Sequence, residues 1–395
     1  MSLFGNQFSF LAIPLVAALT LHANPLQMGV LGAAQFLPGP LFGLVAGVWL
    51  DRTRRLPAMV WSQVVNMAAL ATIPAAALTH VLTLPQLYLV AFVTGATYTL
   101  YGIAQVAFIP TLAGRDHLVE ANAKYQTSMQ VANLAGPGLA GVAVQVLTAP
   151  IAVAFDAASF LVGAATAAWI RIAEPAPPPA TAERHLVAEA RAGLVFLWTH
   201  PLVRSVSLSI IAANTAGRLG GAVFVLLFVS RLGLTPAQLG LAFAAGSLSS
   251  LVGAQVTRPV VERTGVGPAM VAGACLFGLG QLLNIPAALG PRQLVFPLLL
   301  LASAVTGFGL MTYNINQQAI RGIVTPDRML GRVTAGLFVL VAVGNVLGAL
   351  VGGGLGQSIG LFWTLVVAQV VGATSALPAI LSPLRGLREV PRPEQ

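Results

Sequence analysis

The sequence predicts an all-α membrane protein with twelve transmembrane helices arranged as two pseudo-symmetric six-helix bundles. Three observations predict this fold: a scarcity of charge, apolar stretches of membrane-spanning length, and an internal repeat. Of the 395 residues, 57% are hydrophobic and only 8% are charged, and the mean hydropathy is +0.85. Soluble globular proteins carry roughly 25% charged residues. The composition therefore excludes a cytosolic enzyme, a nucleic-acid-binding domain and a disordered protein.

Each apolar stretch is long enough for a helix to cross a bilayer, which takes about 20 residues at about 1.5 Å per residue. The first six lie near Leu3–Leu21, Leu26–Leu50, Pro57–Thr79, Leu84–Ile109, Ser128–Leu147 and Ile151–Ile170. The other six lie near Val203–Ser230, Gln238–Val256, Pro268–Leu289, Gln293–Ile315, Val333–Leu355 and Leu361–Leu381. We number these predicted spans one to twelve in chain order.

A long polar interval separates spans six and seven. It opens with the proline-rich stretch Glu174–Ala180, which we expect to be extended. Glu183–Trp198 then returns to helical spacing, with one apolar face formed by Leu186, Val187, Ala190, Leu194 and Leu197. This segment is either a helix lying along the membrane surface or an ordinary linker helix. We therefore predict an N-terminal bundle over residues 1–172, a cytoplasmic linker over 173–199 and a C-terminal bundle over 200–395.

The basic residues indicate the orientation of the chain in the membrane. If both termini lie on the same side of the membrane, all but three of the 20 Lys and Arg residues lie in the loops on that side. Arg231 and Arg292 lie in loops on the other side, and Arg218 lies inside span seven. Because cytoplasmic loops are enriched in Lys and Arg, we expect a multi-pass protein of the cytoplasmic (inner) membrane with both termini in the cytoplasm. The same placement accounts for the net charge of +9 without a nucleic acid partner.

The second half of the chain repeats the first at an offset of 211 residues. Asn24–Met59 aligns without a gap with Thr235–Met270, and Asp51 aligns with Glu262. Identical to their partners are Pro25, Gln27, Gly29, Ala33, Ala34, Leu37, Val45, Arg52, Thr53, Pro57, Ala58 and Met59. Two homologous six-helix halves of this kind enclose a site near the membrane midplane and work by rocking about it.

Several motifs carry a resemblance to a known family. Gly47-Val-Trp-Leu-Asp51-Arg52-Thr53-Arg54-Arg55 matches the loop pattern between spans two and three of the major facilitator superfamily, except that Arg54 replaces a glycine. Within the superfamily, the chain resembles the twelve-helix drug:proton antiporter branch of macrolide and siderophore exporters. The supporting segments are Leu118–Asn122, Gly136-Pro137, Asp156–Phe160, Pro326–Arg328 and Gly331–Val333.

The resemblance implies a secondary active transporter that exports a hydrophobic or amphipathic small molecule by alternating access, coupled to protons. Two departures bear on the coupling, because span four lacks an arginine common in proton antiporters and Asn6 stands where the branch has an acid. One alternative is an uptake transporter of the same fold for a nutrient or metabolite. Another is a non-transporting membrane receptor or assembly factor on a transporter scaffold.

Charged residues at the cytoplasmic face form what we call the cytoplasmic latch: Asp51, Arg52, Arg54, Arg55, Glu262, Arg263 and Arg332. In the superfamily the acid corresponding to Asp51 is thought to hold the outward-facing state against span eleven, which begins here near Arg332. Glu262 and Arg263 are the counterparts in the repeat. The alternative is that these charges only set topology.

A second group of candidates lies inside the spans. Asp156 is either a protonation site or a structural hydrogen-bonding group, because an acid within a membrane faces a wet cavity or a partner. Arg218 either takes part in a cavity, by pairing with Asp156 or attracting an anionic substrate, or serves packing. Candidate cavity residues without charge are Gln35, Tyr101, Gln105, Asn133, Asn214, Tyr313, Asn314 and Gln317, each of which could instead bridge helices.

Small residues and proline mark sites of close helix packing at Gly136, Pro137, Gly141 and Gly352. The first three resemble the antiporter signature of drug exporters, although Ala132 replaces a glycine of that signature. No nucleotide-binding loop, cofactor motif, nucleophile–base set or metal cluster appears in the sequence, and Cys275 is a single cysteine. We therefore expect no cofactor, no metal and no enzymatic activity. The expected partners are a small-molecule substrate, protons and the lipid bilayer, with the protein acting as a monomer.

Overall fold

The computed structural model describes residues 2–114, 117–172, 174 and 186–382, and within these ranges every regular element is helical. The first half forms α1 (Ser2–Leu15), the π-helical turn π1 (Val16–Thr20), α2 (Pro25–Phe36), α3 (Pro38–Asp51), α4 (Arg55–Leu78), α5 (Leu84–Ala113), α6 (Leu118–Leu147) and α7 (Ala149–Ala168). The second forms α8 (Leu186–Thr199), α9 (Pro201–Val225), the turn π2 (Leu226–Arg231), α10 (Pro236–Thr264), α11 (Val266–Leu289), α12 (Arg292–Val324), α13 (Asp327–Ser358), α14 (Leu361–Thr374) and α15 (Leu377–Ile380).

The helices account for the predicted spans. Within the described part of the chain, ten helices are long and apolar enough to cross a membrane. The remaining two predicted spans are α1 continued by π1, and α2 followed by α3. Span two is interrupted at Leu37, because Pro38 has no backbone N–H to continue the helix. The arrangement agrees with twelve spans.

Several helices run beyond their apolar stretches at the end where arginines cluster. α5 continues to Ala113, α6 begins at Leu118, and α12 continues to Val324. A helix satisfies its own backbone hydrogen bonds, so nothing forces it to stop where the lipid ends.

Contacts divide the chain into two compact units. Unit 1 contains Met1–Glu183 and Gly233–Ala244, and unit 2 contains Arg184–Leu232 and Ala245–Gln395. In unit 1 a buried cluster that includes Leu50, Met59 and Phe108 packs α3, α4 and α5 together. In unit 2 Met270 and Ile320 belong to a cluster that joins α9, α11 and α12. The start of α10 thus packs with the first unit, although it lies in the second half of the chain.

The linker helix α8 packs against unit 2. Leu197 is fully buried among Val203, Val333 and Leu337, and Leu194 lies beside Gly336. Two residues of the predicted apolar face therefore contact protein, which fits the linker-helix alternative rather than a helix lying on lipid. Residues 175–185, with most of the proline-rich stretch, lie outside the described residues.

The repeat is visible in local geometry as well as in sequence. Asn24 and Gln27 exchange side-chain-to-backbone hydrogen bonds of 2.8 and 2.9 Å at the start of α2. Their partners Thr235 and Gln238 do the same before α10, at 2.9 and 3.2 Å. Such a capping box satisfies two backbone donors at a helix start. Residues related by the offset of 211 therefore form the same capping box in both halves of the chain.

The two π turns obey the same offset. Leu21 N donates to Val16 O at 3.2 Å at the end of π1, and Leu232 N donates to Leu227 O at 2.9 Å at the end of π2. Each bond spans five residues, which is the π-helical pattern. Spans one and seven thus carry the same irregularity at the same place.

Candidate functional site

Asp156 forms a buried polar cluster between α1 and α7 in unit 1. Its side chain is 2% exposed. Ser9 Oγ on α1 donates to Asp156 Oδ2, and Ser159 Oγ, one turn along α7, donates to Oδ1 at 3.2 Å. No ion pair joins Asp156 to another described residue. A carboxylate removed from water is costly to keep charged without a cation beside it, so the cluster is suited to holding a proton.

α1 approaches this cluster closely because it has no side chain at Gly5. A Cβ atom there would collide with Asp156 Oδ1 and Ser159 Oγ. On another side of α1, Gln7 Nε2 donates to Asn133 Oδ1 of α6. The first helix is therefore held by polar bonds to both α6 and α7.

A cleft lies inside unit 2 among α9, α11, α12 and α14. Its wall combines hydroxyl and amide side chains with apolar ones, and none of its lining residues is charged: Ser209, Ile210, Ala213, Asn214, Ala274, Phe277, Leu310, Tyr313, Asn314 and Ser375. The structure thus brings together three of the predicted cavity residues, Asn214, Tyr313 and Asn314.

Several polar groups of the cleft already donate hydrogen bonds to backbone carbonyls. Asn214 Nδ2 donates to Ile210 O at 2.9 Å, Tyr313 Oη to Val206 O at 3.3 Å, and Ser375 Oγ to Gly372 O at 2.6 Å. Ser209 is buried, with its side chain 2% exposed, and its hydroxyl interacts with that of Tyr313. Buried polar groups are almost always bonded, and the polar groups of the cleft follow this rule by bonding to the protein itself.

At the arginine-rich end of unit 1, Arg55 joins three segments of chain. Its Nη1 donates to Ala107 O near the end of α5 at 2.9 Å. Its backbone N donates to Glu174 Oε1 at 2.6 Å, and Leu56 N donates to Glu174 Oε2 at 3.2 Å. The Glu174 carboxylate therefore caps the N-terminus of α4, where a negative charge is favourable. Arg52 and Arg54 are exposed beside this site.

The other residues of the cytoplasmic latch belong to separate helices. Glu262 Oε1 accepts a hydrogen bond from Arg258 Nε at 2.9 Å on the surface of α10, and Arg263 is exposed. The Arg332 backbone carbonyl packs against Gly193 of α8. The Asp51 backbone ends α3, but its side chain lies outside what the structure describes.

The remaining predicted cavity residues lie on α2, α5, α9 and α12. Gln35, Tyr101 and Gln105 are half-buried on α2 and α5. The Arg218 side chain leaves α9 beside Gly348 of α13. Gln317 is buried on α12 and its Oε1 has no partner among the described residues.

The predicted packing residues lie at close helix contacts. A Cβ at Gly136 would lie 2.6 Å from Gln7 Cβ, and one at Gly352 would lie 2.8 Å from Leu219 Cα. Gly141 faces the start of α10, where a Cβ would lie 3.1 Å from Gly240 Cα. Pro137 is buried in the same stretch of α6, and its carbonyl packs against Gly240.

Sequence reasoning missed several members of these sites. Ser9, Gln7, Ser209 and Ser375 are single polar residues in apolar helices, and such residues carry no spacing signal. Glu174 opens a proline-rich stretch, which favoured its assignment to the linker. Ser159 belongs to the segment Asp156–Phe160 that supports the family resemblance, but it was not predicted as a site residue.

The fold and these buried polar sites are those of a multi-pass membrane transporter. The sequence profile of the Major Facilitator Superfamily matches residues 1–229 and 206–395. The chain therefore belongs to the major facilitator superfamily.

Two curated relatives are exporters. The chain is 24% identical over 393 residues to the multidrug efflux pump Tap of Mycolicibacterium fortuitum, covering 96% of this chain and 92% of that protein. It is 25% identical over 352 residues to the enterobactin exporter EntS of Escherichia coli O81 (strain ED1a), covering 87% and 80%.

Solved structures agree with the fold. A bacterial homologue of the human lysosomal transporter Spinster, inward-facing and occupied, superposes with a TM-score of 0.74 at 14% identity, covering 96% of this chain and 94% of that one. A bacterial homologue of the iron transporter ferroportin, inward-facing, gives a TM-score of 0.73 at 14% identity, covering 96% of both chains. At this identity, the likeness shows the fold alone.

Proposed function

We propose that this protein is a secondary exporter of the cytoplasmic membrane that moves a hydrophobic or amphipathic small molecule outward by alternating access. The observation that carries this proposal is the similarity to a multidrug efflux pump and a siderophore exporter over most of the chain. The uncharged cleft of unit 2 supports it, because clefts for amphipathic compounds are mostly apolar with a few polar groups.

Outward movement is coupled to proton entry through Asp156. In the present arrangement two hydroxyl groups donate to its carboxylate, one from each of α1 and α7. A protonated Asp156 would itself become a donor, so at least one hydroxyl would have to turn away. Binding and release of a proton would thereby alter the contact between α1 and α7, and this is the step by which a proton biases the conformation.

Alternating access proceeds by rocking of residues 1–172 against residues 200–395, with both termini in the cytoplasm. The cytoplasmic latch holds one of the two end states, and its central group is Asp51. The capped start of α4 supports this assignment, because Arg55 and Glu174 fix the chain shortly after the end of α3, where Asp51 lies.

The proposal is tested in a bacterial strain deleted for its major efflux pumps and expressing this chain. Susceptibility to a macrolide, to chloramphenicol and to a catechol siderophore is compared with that of an empty-vector strain. We expect reduced susceptibility or increased siderophore secretion for at least one compound, lost when a protonophore collapses the gradient. Unchanged susceptibility and secretion at confirmed expression would contradict export of these classes, and increased susceptibility would favour uptake.

A further inference from the structure

We infer that the junction of α4 and α7 in unit 1 binds an anionic phospholipid, whose headgroup is held by Arg54 and Arg171 and whose acyl chain lies along α7. This inference does not rest on the proposed export function, because it concerns a lipid bound to unit 1. It also gives a role to Arg54, which stands where the loop pattern of the superfamily has a glycine.

Two contacts hold the end of α7 against the start of α4. The Glu174 carboxylate accepts hydrogen bonds from Arg55 N at 2.6 Å and from Leu56 N at 3.2 Å. Ile170 packs against the buried cluster that includes Met59 of α4. The chain between these two anchors therefore runs beside the first turns of α4.

Arg54 and Arg171 leave the chain at this junction. Arg54 directly precedes the capped first turn of α4, and Arg171 directly follows the packed Ile170. Both arginines are exposed, and neither has an ion pair or a side-chain hydrogen bond to another described residue. Guanidinium groups bind phosphate oxygens through paired N–H donors. The two side chains are therefore available to bind one phosphate from two sides.

The charge around these arginines favours an anion. Residues 50–56 and 169–174 contain four arginines and two acids, which leaves a net charge of +2. Of the two acids, Glu174 directs both carboxylate oxygens to backbone amides of α4 and not to an arginine side chain. Basic residues at a membrane surface attract anionic lipids. The junction therefore suits a phospholipid with a net negative charge better than a zwitterionic one.

One face of α7 offers a surface for the acyl chain. Phe155, Val162 and Trp169 recur every seven residues, close to two helical turns, and so lie on the same face of the helix. Their side chains are 60%, 42% and 82% exposed. An exposed apolar face on a membrane-spanning helix contacts lipid. This face leads along α7 to the end that carries Arg171.

Trp169 favours a lipid over a free phosphate as the occupant. It stands at the end of α7, two residues before Arg171. Tryptophan is enriched at the interface between membrane and water, where its ring lies at the level of the headgroups. An inorganic phosphate would bind the two arginines without contacting this ring, whereas a phospholipid contacts both.

The inference is tested by the quenching of Trp169 fluorescence by lipids with brominated acyl chains. The full chain is reconstituted in phosphatidylcholine bilayers that contain an equal fraction of brominated phosphatidylglycerol or brominated phosphatidylcholine. The Trp169 signal is the difference between the chain and its Trp169→Phe variant, because the other four tryptophans are common to both. We expect stronger quenching of Trp169 by the anionic lipid.

Substitution of the arginines tests which groups hold the headgroup. Arg54→Gln and Arg171→Gln should each lower the preference for phosphatidylglycerol about fivefold, the effect of one basic residue at an anionic surface. Arg54→Lys and Arg171→Lys keep the charge and should keep most of the preference. The control is the double variant Arg231→Gln with Arg292→Gln, which removes two exposed arginines of unit 2 and should leave the preference unchanged.

The outcomes are distinct, provided that thermal unfolding shows each variant to be folded. A preference for phosphatidylglycerol that falls in both glutamine variants and persists in the control supports the inference. Equal quenching by the two lipids, or an equal loss of preference in the control, would overturn it. Displacement by millimolar glycerol phosphate would also overturn it, because the site would then bind a soluble phosphate. Since no transport is measured, failure here would leave the export proposal standing.

Discussion

Asp156 is a buried acid whose neighbours are hydroxyl groups on two helices. The sequence singled it out because it lies inside a predicted span, and the structure buries it beside Ser9 and Ser159. Two roles remain distinct at this scale. A structural role requires only hydrogen-bonding capacity, whereas a coupling role requires the ability to bind and release a proton.

Asp156→Asn separates the two roles, because an amide keeps the shape and most hydrogen-bonding capacity but cannot titrate. We expect gradient-driven transport to be lost while gradient-independent exchange of substrate across vesicle membranes persists at about the wild-type rate. Both rates are measured in vesicles with a labelled substrate. Loss of both activities together with a reduced yield of folded protein would instead indicate a purely structural residue.

Ser9→Ala is the companion substitution. It removes one donor to the carboxylate and leaves the acid in place, so the variant should unfold at a lower temperature, with a loss of about 1.5–3 kcal/mol in the free energy of unfolding. Calorimetric unfolding in detergent measures the effect. An unchanged unfolding temperature would mean that the Ser9–Asp156 bond contributes nothing to stability.

At the scale of helices, close backbone approach distinguishes glycines that otherwise look alike in the sequence. Gly352, Gly353 and Gly354 form one run in α13. Gly352 lies against Leu219 of α9, whereas a Cβ at Gly354 would meet no atom within 4 Å. A run of three glycines predicts tight packing but does not reveal which member makes the contact.

Gly352→Ala should therefore destabilise the α9–α13 contact, by about 1–3 kcal/mol for overpacking a close interface. Gly354→Ala is the control and should be neutral or stabilising by up to about 1 kcal/mol, because alanine favours a helix over glycine. Thermal unfolding of the two variants tests the ranking. Equal destabilisation would contradict the packing described for this helix pair.

Helix capping at the end of unit 1 gives a second prediction at this scale. Glu174→Gln removes the negative charge that accepts from the first amides of α4 and should cost about 1 kcal/mol of stability. Glu262→Gln breaks an exposed pair within α10, and pairs of that kind contribute less than about 0.5 kcal/mol. Chemical unfolding of the two variants should rank them in that order, and the reverse order would reject the capping role of Glu174.

Much of this architecture was predictable from the sequence, for physical reasons. Lipid forces a span to be apolar over its whole length, so the spans are readable from composition. The offset of 211 residues follows from the polar loop of the repeat, where Asp51-Arg52-Thr53 aligns with Glu262-Arg263-Thr264. The capping boxes and the π turns of the two halves are related by the same offset. Contacts between distant segments were not predictable, and so Ser9 beside Asp156, Ser209 in the cleft and Glu174 at α4 became visible only in three dimensions.

For the whole molecule, the repeat exposes an asymmetry that bears on the cytoplasmic latch. Glu262 pairs locally with Arg258 on α10. The residue that corresponds to Arg258 in the first half is Gly47, so the sequence has no basic residue four positions before Asp51. Because of this difference, we propose that the conformational role belongs to Asp51 rather than to its counterpart in the repeat.

Asp51→Ala should accordingly lower the transport rate by about tenfold, the loss expected when roughly 1.4 kcal/mol of bias between two end states disappears. Glu262→Ala should lower it by less than about twofold. Membrane insertion of both variants should equal that of the wild type when it is measured by the fluorescence of a C-terminal reporter. Equal transport by Asp51→Ala and the wild type would leave these charges with a role in topology alone.

The direction and driving force of transport are tested most directly in everted membrane vesicles, whose outer face is the cytoplasmic face. The vesicles are acidified inside by respiration and given a labelled compound to which the chain confers resistance. The account predicts accumulation inside the vesicles, abolished when nigericin removes the pH gradient and absent from vesicles carrying Asp156→Asn. Accumulation that is unchanged by nigericin would contradict proton coupling. Accumulation only in right-side-out vesicles would contradict export.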